Sequence, residues 1–181
     1  MARIVLITGG SRSGKSDYAQ KLAESLTGKK LFIATCPVTD DEMARRIRKH
    51  REKRSAAHWE TMEEPLNVAR LLRNATGYNV YLIDCLTLWV NNVMYKASEE
   101  NREISEDEIV TRCEDLLAAC RDVDGTVIIV TNEVGSSIVP ENRLARHYRD
   151  LIGRCNQVVA GKSDTVTLVV CGLPLNLKEK E

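Results

Sequence analysis

The residues GGSRSGKS at 9–16 form the first pattern in this chain that could do chemistry. Gly9, Gly14, Lys15 and Ser16 satisfy the spacing G-x-x-x-x-G-K-[ST], in which a glycine-rich turn points consecutive backbone N–H groups at phosphate oxygens. Lys15 is expected to neutralise the outer phosphates and Ser16 to ligate Mg²⁺. A preceding strand and a following helix, whose N-terminal end attracts anions, would confirm the match. The pattern predicts a nucleotide site rather than a glycine turn without a ligand.

Asp84 ends the apolar run NVYLID at 79–84 and is the second candidate metal ligand. A strand close to the phosphate loop would bring its terminal carboxylate to the Mg²⁺. The alternative is a carboxylate that caps the following helix, CLTLWVNNVM, a role that Asp readily takes. The phosphate-loop pattern favours the metal role.

The segment DDEMARRIRKHREKR at 40–54 concentrates positive charge, with seven basic residues and one acidic residue between 45 and 54. Met43, Ile47 and His50 share one face of the helix that this segment predicts. One interpretation is a solvated basic face with His50 in a half-buried position. The other is a neutral imidazole that attacks a nucleotide phosphorus while arginines stabilise the developing charge. Spacing alone does not separate the two.

Five short β-branched runs are the elements that would position these residues. They are almost entirely apolar without alternation, which is typical of strands covered on both faces in a parallel sheet. They lie at 3–8, 30–35, 79–84, 126–131 and 165–170. Amphipathic segments predict helices over 15–26, 40–54, 65–73, 105–121 and 140–160, and the polar segment 97–104 is expected to be a loop. The alternation predicts an α/β fold with a doubly wound, mostly parallel sheet and helices on both faces. The phosphate-loop pattern makes this fold P-loop NTPase-like.

Composition limits the possible classes of protein. The 181 residues suit one domain over 1–181, and Lys plus Arg and Asp plus Glu both total 26, so no global basic field attracts nucleic acid. Two Trp, five Tyr and one Phe offer few surfaces for base stacking. The six cysteines have no metal-like spacing and are expected to be buried free thiols. No apolar stretch approaches the roughly 20 residues of a membrane span, and a cytoplasmic protein is expected.

Several segments together resemble the bifunctional adenosylcobinamide kinase/adenosylcobinamide-phosphate guanylyltransferase family of cobalamin biosynthesis. They are GGSRSGKS, DDEMARRIRKHREKR, HWETME, LIDCLTLWVNN, TNEVGSSIVPENRLARHYRDLIGRCNQVVA and VVCGLPLNLK. The resemblance covers essentially the whole chain, and TNEVG followed by VPENRLARHYRD and NQ is its most distinctive part. It implies phosphorylation of the aminopropanol hydroxyl of adenosylcobinamide by ATP or GTP. Transfer of GMP from GTP to the new phosphate then gives adenosylcobinamide-GDP and pyrophosphate.

The resemblance also implies roles for single residues. His50 corresponds to the histidine that is guanylylated in the family, and it forms the catalytic pair with Lys15. Ser16 and Asp84 correspond to Mg²⁺ ligands. Cys36 stands where Ser or Ala is more familiar, and its contact is expected through the backbone. The nucleotide-binding positions are Gly9, Gly10, Ser11, Arg12, Ser13, Gly14, Lys15, Ser16, Ala34, Thr35, Cys36, Arg51, Glu52, Lys53, Arg54, Glu63 and Asp84.

Other roles stay open at this point. His58 and His147 are left out of the catalytic set, with His147 expected to serve packing or an interface. Asn132 and Glu133 follow a predicted strand and either order the phosphate loop, contact the corrinoid or simply form the turn. The family resemblance implies a homo-oligomer, with a trimer as the expected form. The charge balance and the apolar runs predict neither a nucleic-acid partner nor a membrane span. The main alternative function is a single-activity P-loop small-molecule kinase without a covalent intermediate.

Overall fold

A seven-stranded sheet runs through the computed structural model, which describes residues 2–36 and 59–179. The strands are β1 Arg3–Thr8, β2 Lys30–Ala34, β3 Trp59–Glu63, β4 Val80–Asp84, β5 Thr126–Val130, β6 Thr165–Val170 and β7 Leu173–Glu179. The helices within the described residues are α1 Lys15–Ser25, α2 Val68–Asn74, α3 Leu86–Glu99, α4 Glu106–Asp122 and α5 Arg143–Lys162. The predicted helix over 40–54 lies outside the described residues.

The strand order is β3-β2-β4-β5-β1-β6-β7. Every neighbouring pair is parallel except β6 and β7, which are antiparallel. The mostly parallel, doubly wound sheet predicted from the sequence is therefore confirmed. All five predicted strands are present within one residue at either end.

The two edge strands, β3 and β7, were missed by the sequence prediction. Their residues are mostly exposed or half-buried, so neither strand has the continuous apolar run by which a doubly covered strand is recognised. In β7, Leu173, Leu175 and Leu177 alternate with Pro, Asn and Lys, the pattern of a strand with one polar face.

Side chains alternate between two cores, one on each face of the sheet. Ile4 and Leu6 of β1 belong to the larger core, together with buried residues of α2, α3, α4 and α5. Val5 and Ile7 belong to the smaller core, which they form with α1. Helices thus cover both faces of the sheet. Because successive side chains point to opposite faces, alternate residues of each strand face α1.

Helix starts follow local capping chemistry. At α4, Ser105 and Glu108 form a reciprocal capping box, as the predicted boundary near 105 requires. At α5, the Asn142 side chain accepts a hydrogen bond from the Ala145 N–H at 3.1 Å, so this helix begins at Arg143 and not at 140. The helix after Asp84 continues to Glu99, three residues into the segment expected to be a loop. Among the described residues, no helix is long and apolar enough to cross a membrane.

The ion pair between Arg121 and Asp164 ties α4 to the start of β6. The Asp164 carboxylate accepts from Arg121 at 2.6 and 3.1 Å and from the Ile4 N–H at 2.8 Å. We expect Asp164→Ala to lower the free energy of unfolding by about 2–4 kcal/mol, because it leaves a guanidinium and a backbone donor without this acceptor. Urea denaturation measures the change.

Glu114→Ala is the matched control, since it breaks an ion pair with Lys162 in which both side chains are more than half exposed. Such a pair contributes at most about 1 kcal/mol. Equal losses in the two variants would contradict the structural importance of Asp164.

Candidate nucleotide-binding site

The phosphate loop, residues 9–16, joins β1 to α1 as its sequence pattern requires. Gly9 and Gly14 have φ angles of +155° and +92°. A Cβ at Gly9 would lie 2.4 Å from the Val169 carbonyl oxygen, and one at Gly14 would lie 3.2 Å from Gly172 Cα. The two glycines of the pattern are therefore required both by backbone conformation and by close packing.

Lys15 is the first residue of α1, and its Nζ donates to the Gly10 carbonyl at 3.1 Å, so it lies back over the loop. Burial lowers the pKa of Lys15 from its ordinary value, while the nearby Asp84 carboxylate opposes that shift. The negative charge of a bound phosphate would likewise oppose this lowering of the Lys15 pKa. The Lys15 ammonium is thus partly desolvated and placed to interact with a bound phosphate.

The sheet register aligns the acidic candidates with this loop. Ala34 of β2 is the register partner of both Glu63 and Asp84, and Asp84 is the partner of Val130. Trp59, Phe32 and Leu82 of the same three strands belong to or pack against the smaller core, which includes α1. Because side chains alternate along a strand, Glu63, Ala34 and Asp84 also face α1. The fold therefore brings Glu63, Ala34 and Asp84 to the same edge and face as the phosphate loop.

The donor set suits Mg²⁺. A Ser16 hydroxyl and an Asp84 carboxylate are hard oxygen ligands, and Mg²⁺ usually takes one or two protein oxygens and completes its octahedron with phosphates and water. No cluster of three or more His, Cys, Asp or Glu side chains suited to a metal occurs in residues 2–36 and 59–179. A metal ion that is coordinated partly by nucleotide phosphates does not need a cluster of three protein ligands.

Thr35 joins the ends of β2 and β4. It is fully buried, and its hydroxyl donates to the Cys85 carbonyl at 2.8 Å and accepts from the Cys85 N–H at 2.7 Å. Its backbone N–H donates to the Asp84 carbonyl, and its carbonyl accepts from Asn92 Nδ2 at 2.7 Å. Thr35 therefore acts on the site by fixing Asp84 and Cys85 relative to β2, a role that no sequence pattern indicated.

Cys85 lies at this edge, directly after Asp84, and its side chain is held as a thiol. Burial, with the Asp84 carboxylate adding to it, raises the pKa of Cys85 to about 11. Cys36 and Cys85 are half-buried, Cys113, Cys120 and Cys155 are buried, and Cys171 is exposed. The expectation of buried free thiols holds fully for three of the six, and Cys85 is unsuited to nucleophilic attack at neutral pH.

Two neighbouring segments hold the phosphate loop in place. On one side, the Glu133 N–H donates to the Gly9 carbonyl at 3.1 Å. On the other side, the Gly172 N–H donates to the Ser13 carbonyl at 2.8 Å from the turn between β6 and β7. The backbone of Glu133 thus orders the phosphate loop, which was one of the roles left open. Gly172 was missed because the usual hairpin signals are Asn-Gly and Asp-Gly, whereas here Cys171, with a φ angle of +53°, precedes the glycine.

The basic segment at 40–54 lies outside the part of the chain that the structure describes. His50, Arg51, Glu52, Lys53 and Arg54 lie outside the described residues, and so does His58. His147 is described: its Nε2 lies 2.9 Å from the Ile104 carbonyl oxygen and 3.7 Å from a Glu103 carboxylate oxygen. That environment agrees with the expected packing role.

Sequence comparison finds close relatives along almost the whole chain. The model of a family described as cobinamide kinase / cobinamide phosphate guanyltransferase matches residues 5–177. The bifunctional adenosylcobalamin biosynthesis protein CobU of Escherichia coli is 40% identical over 182 residues, covering 97% of this chain and 99% of the relative. CobU of Salmonella typhimurium is 41% identical with the same coverage. CobP of Pseudomonas aeruginosa is 41% identical over 174 residues, covering 96% of each chain.

Solved structures share the fold at much lower identity. An ATPase from a bacterial type III secretion system superposes with a TM-score of 0.61 at 12% identity, covering 96% of this chain and 56% of that one. The RadB recombinase gives a TM-score of 0.51 at 13% identity, covering 92% of this chain and 73% of its own. These likenesses establish a P-loop NTPase-like fold.

Proposed function

Because this chain belongs to the cobinamide kinase / cobinamide phosphate guanyltransferase family, we propose that a single phosphate loop serves both of the family's reactions. The chain is an enzyme with cobinamide kinase and cobinamide-phosphate guanylyltransferase activities, nucleotide substrates and a corrinoid substrate. One observation carries the proposal. Lys15 is the first residue of α1, and the strand register places Asp84 on the α1 face at the same edge of the sheet.

In the kinase reaction, the phosphate loop would bind ATP or GTP with its γ-phosphoryl group facing the aminopropanol hydroxyl of adenosylcobinamide. Backbone N–H groups of residues 9–16 and the Lys15 ammonium would hold the β- and γ-phosphates. Ser16 and Asp84 would hold a Mg²⁺ ion, which supplies neutralisation of the phosphate charge when bound. Positioning and charge neutralisation account for most of the catalysis in such reactions.

In the guanylyl transfer, His50 would attack the α-phosphorus of GTP and form a guanylyl-histidine, and pyrophosphate would leave. Arg51, Glu52, Lys53 and Arg54 would bind the guanylyl group, while Lys15 would neutralise the departing pyrophosphate. Glu63, Ala34 and Cys36 would line the nucleotide next to Asp84. The corrinoid phosphate would then displace the histidine, giving adenosylcobinamide-GDP.

The direct test is a pair of assays on the purified protein with Mg²⁺. Label from γ-³²P-ATP or γ-³²P-GTP should appear on adenosylcobinamide, and label from α-³²P-GTP should appear on adenosylcobinamide phosphate. Transfer of the γ-label without transfer of the α-label would favour the single-activity kinase.

We also propose a single domain over residues 1–181 that forms a homo-oligomer, with a trimer as the expected form. An apolar patch at the sheet edge supports assembly: Val170, Leu173, Leu175 and Leu177 are each more than half exposed. Val170 pairs with Leu173 and lies on the same face of the β6–β7 hairpin as Leu175. Contiguous exposed apolar surface of this kind is typical of an interface between chains.

Leu175→Lys should weaken assembly at least about tenfold, since burying a leucine side chain contributes roughly 1.5–3 kcal/mol. Light scattering after size exclusion, over a range of protein concentrations, measures the mass. Leu144→Lys is the control, because Leu144 on α5 is exposed to a similar degree, 66% against 57% for Leu175. Dissociation by the Leu144 change alone would place the interface elsewhere.

A further inference from the structure

The loop that follows β5, residues 131–135, lies between the two parts of the nucleotide site. β5 is the strand between β1, which leads into the phosphate loop, and β4, which ends at Asp84. Backbone hydrogen bonding continues past the end of β5, because the Thr131 N–H donates to the Ile7 carbonyl at 2.9 Å and the Glu133 N–H to the Gly9 carbonyl. Residue 132 is thus held beside the start of the phosphate loop.

The strand pattern also assigns Asn132 to a face. Ile128 and Val130 pack in the smaller core with α1, so continued alternation puts Asn132 on the α1 face. Lys15, the first residue of α1, and Asp84 are on that face as well. Thr131 points the other way, and its hydroxyl meets Asn156 of α5. Asn132 is therefore positioned between the phosphate loop and the candidate metal ligand.

Asn156 fixes the backbone of this loop from the opposite face of the sheet. Its Nδ2 donates to the Asn132 carbonyl at 3.0 Å, and its Oδ1 accepts from the Thr131 hydroxyl at 2.7 Å. Thr131 is fully buried. The position of Asn132 is thus set by backbone contacts, and its own side chain is not needed to hold the loop.

The side chain of Asn132 has an unused acceptor. Its Oδ1 is buried and has no hydrogen-bond partner within the part of the chain that the structure describes. Leaving a buried acceptor unsatisfied is costly, so such an atom in a binding site points to a ligand that donates. Phosphate oxygens and the Asp84 carboxylate only accept. Of the groups that react in the kinase step, the hydroxyl that becomes phosphorylated lies next to the γ-phosphate and can donate.

We propose that Asn132 Oδ1 accepts the hydrogen bond of the cobinamide aminopropanol hydroxyl and thereby turns an oxygen lone pair toward the γ-phosphorus. This role rests on the proposed kinase function. In the transfer, the hydroxyl oxygen bonds to the γ-phosphorus while the bond from that phosphorus to the β–γ bridging oxygen breaks. The nucleoside diphosphate leaves with that electron pair, and the hydroxyl proton is released to water. Asn132 orients the nucleophile and stays neutral throughout.

The bifunctional enzyme provides its own discriminating readout, because the acceptor in guanylyl transfer is a phosphate and not this hydroxyl. For Asn132→Ala, we expect the ratio of kinase rate to guanylyl-transfer rate to fall about 10²-fold, as for loss of one oriented hydrogen-bonding group. Kinase rates are measured with γ-³²P-ATP and adenosylcobinamide. Guanylyl transfer is measured with α-³²P-GTP and preformed adenosylcobinamide phosphate, at saturating nucleotide.

Two further variants separate contact from structure. Asn156→Ala, which removes the anchor of the loop, should lower both rates together and leave their ratio within about threefold, because it disturbs a loop that both reactions use. Asn132→Asp has the same shape and keeps an acceptor oxygen, so it should retain at least about tenfold more kinase turnover than Asn132→Ala at saturating nucleotide. If Asn132→Ala does not fold, Asn132→Leu, which has a similar shape and also lacks an acceptor, takes its place in the comparison of the two rates.

An unchanged rate ratio in Asn132→Ala would overturn the inference, whether both rates are kept or both are lost. Equal kinase losses in Asn132→Ala and Asn132→Asp would overturn it too. A wild-type protein that phosphorylates no cobinamide would instead refute the kinase function on which the inference rests.

Discussion

Protein incubated with Mg²⁺ and α-³²P-GTP should retain an acid-labile, alkali-stable label, and His50→Ala should retain none. These stabilities are those of a phosphorus–nitrogen bond to imidazole. Because a nucleophile is removed outright, guanylyl transfer should fall by about 10³-fold or more. Phosphorylation of cobinamide, in which the imidazole forms no bond, should fall by less than about tenfold. Denaturing gels and the two transfer assays measure these effects.

His58→Ala is the control, since His58 comes from the same part of the chain and was not assigned to catalysis. It should keep the label. A label that persists in His50→Ala would place the covalent bond on another residue. Kinase activity without any retained label in the wild type would identify the protein as a kinase only.

Lys15→Ala should lower the rates of both reactions by about 10³-fold, because the same ammonium neutralises phosphate charge in each reaction. The nucleotide dissociation constant should rise as well, which a fluorescent nucleotide analogue would measure. Stability should change little, since the Lys15 side chain is half-buried and, among the described residues, its ammonium makes one hydrogen bond, to the Gly10 carbonyl. Both assays and the urea midpoint are needed for each protein.

Lys21→Ala provides the comparison, because Lys21 is an exposed lysine on the same helix. It should leave both rates unchanged. If Lys15→Ala removed one activity and spared the other, the two reactions would use different nucleotide sites, and the shared phosphate loop would be refuted.

The sequence predicted the parts of the fold that depend on local pattern. The doubly covered strands, the phosphate loop and the capped start of α4 all carry their information within a few residues. The edge strands β3 and β7 do not, because a half-exposed strand is defined by its neighbour in the sheet and not by its own composition. The row formed by Glu63, Ala34 and Asp84 likewise depends on register between strands that are distant in sequence.

The supporting contacts of the site were the least visible from sequence. Thr35, Asn156 and Gly172 each act through hydrogen bonds to residues far along the chain, as in the contact of Gly172 with Ser13. Nothing in a Thr, Asn or Gly by itself indicates such a partner. Sequence left three roles open for Glu133: to order the phosphate loop, to contact the corrinoid or to form the turn. The hydrogen bond from its N–H to the Gly9 carbonyl supports the first role.

The turn between β6 and β7 gives the protein an intrinsic reporter position. Cys171 is exposed, whereas the other five cysteines are half-buried or buried, and the adjacent Gly172 is hydrogen-bonded to Ser13. On a protomer whose β6–β7 hairpin is not covered by a second chain, a thiol-reactive fluorophore would therefore attach preferentially to Cys171, next to the residue that contacts the phosphate loop, with no engineered cysteine. Its emission would follow the filling and emptying of the nucleotide site in real time, so binding could be resolved kinetically from either chemical step.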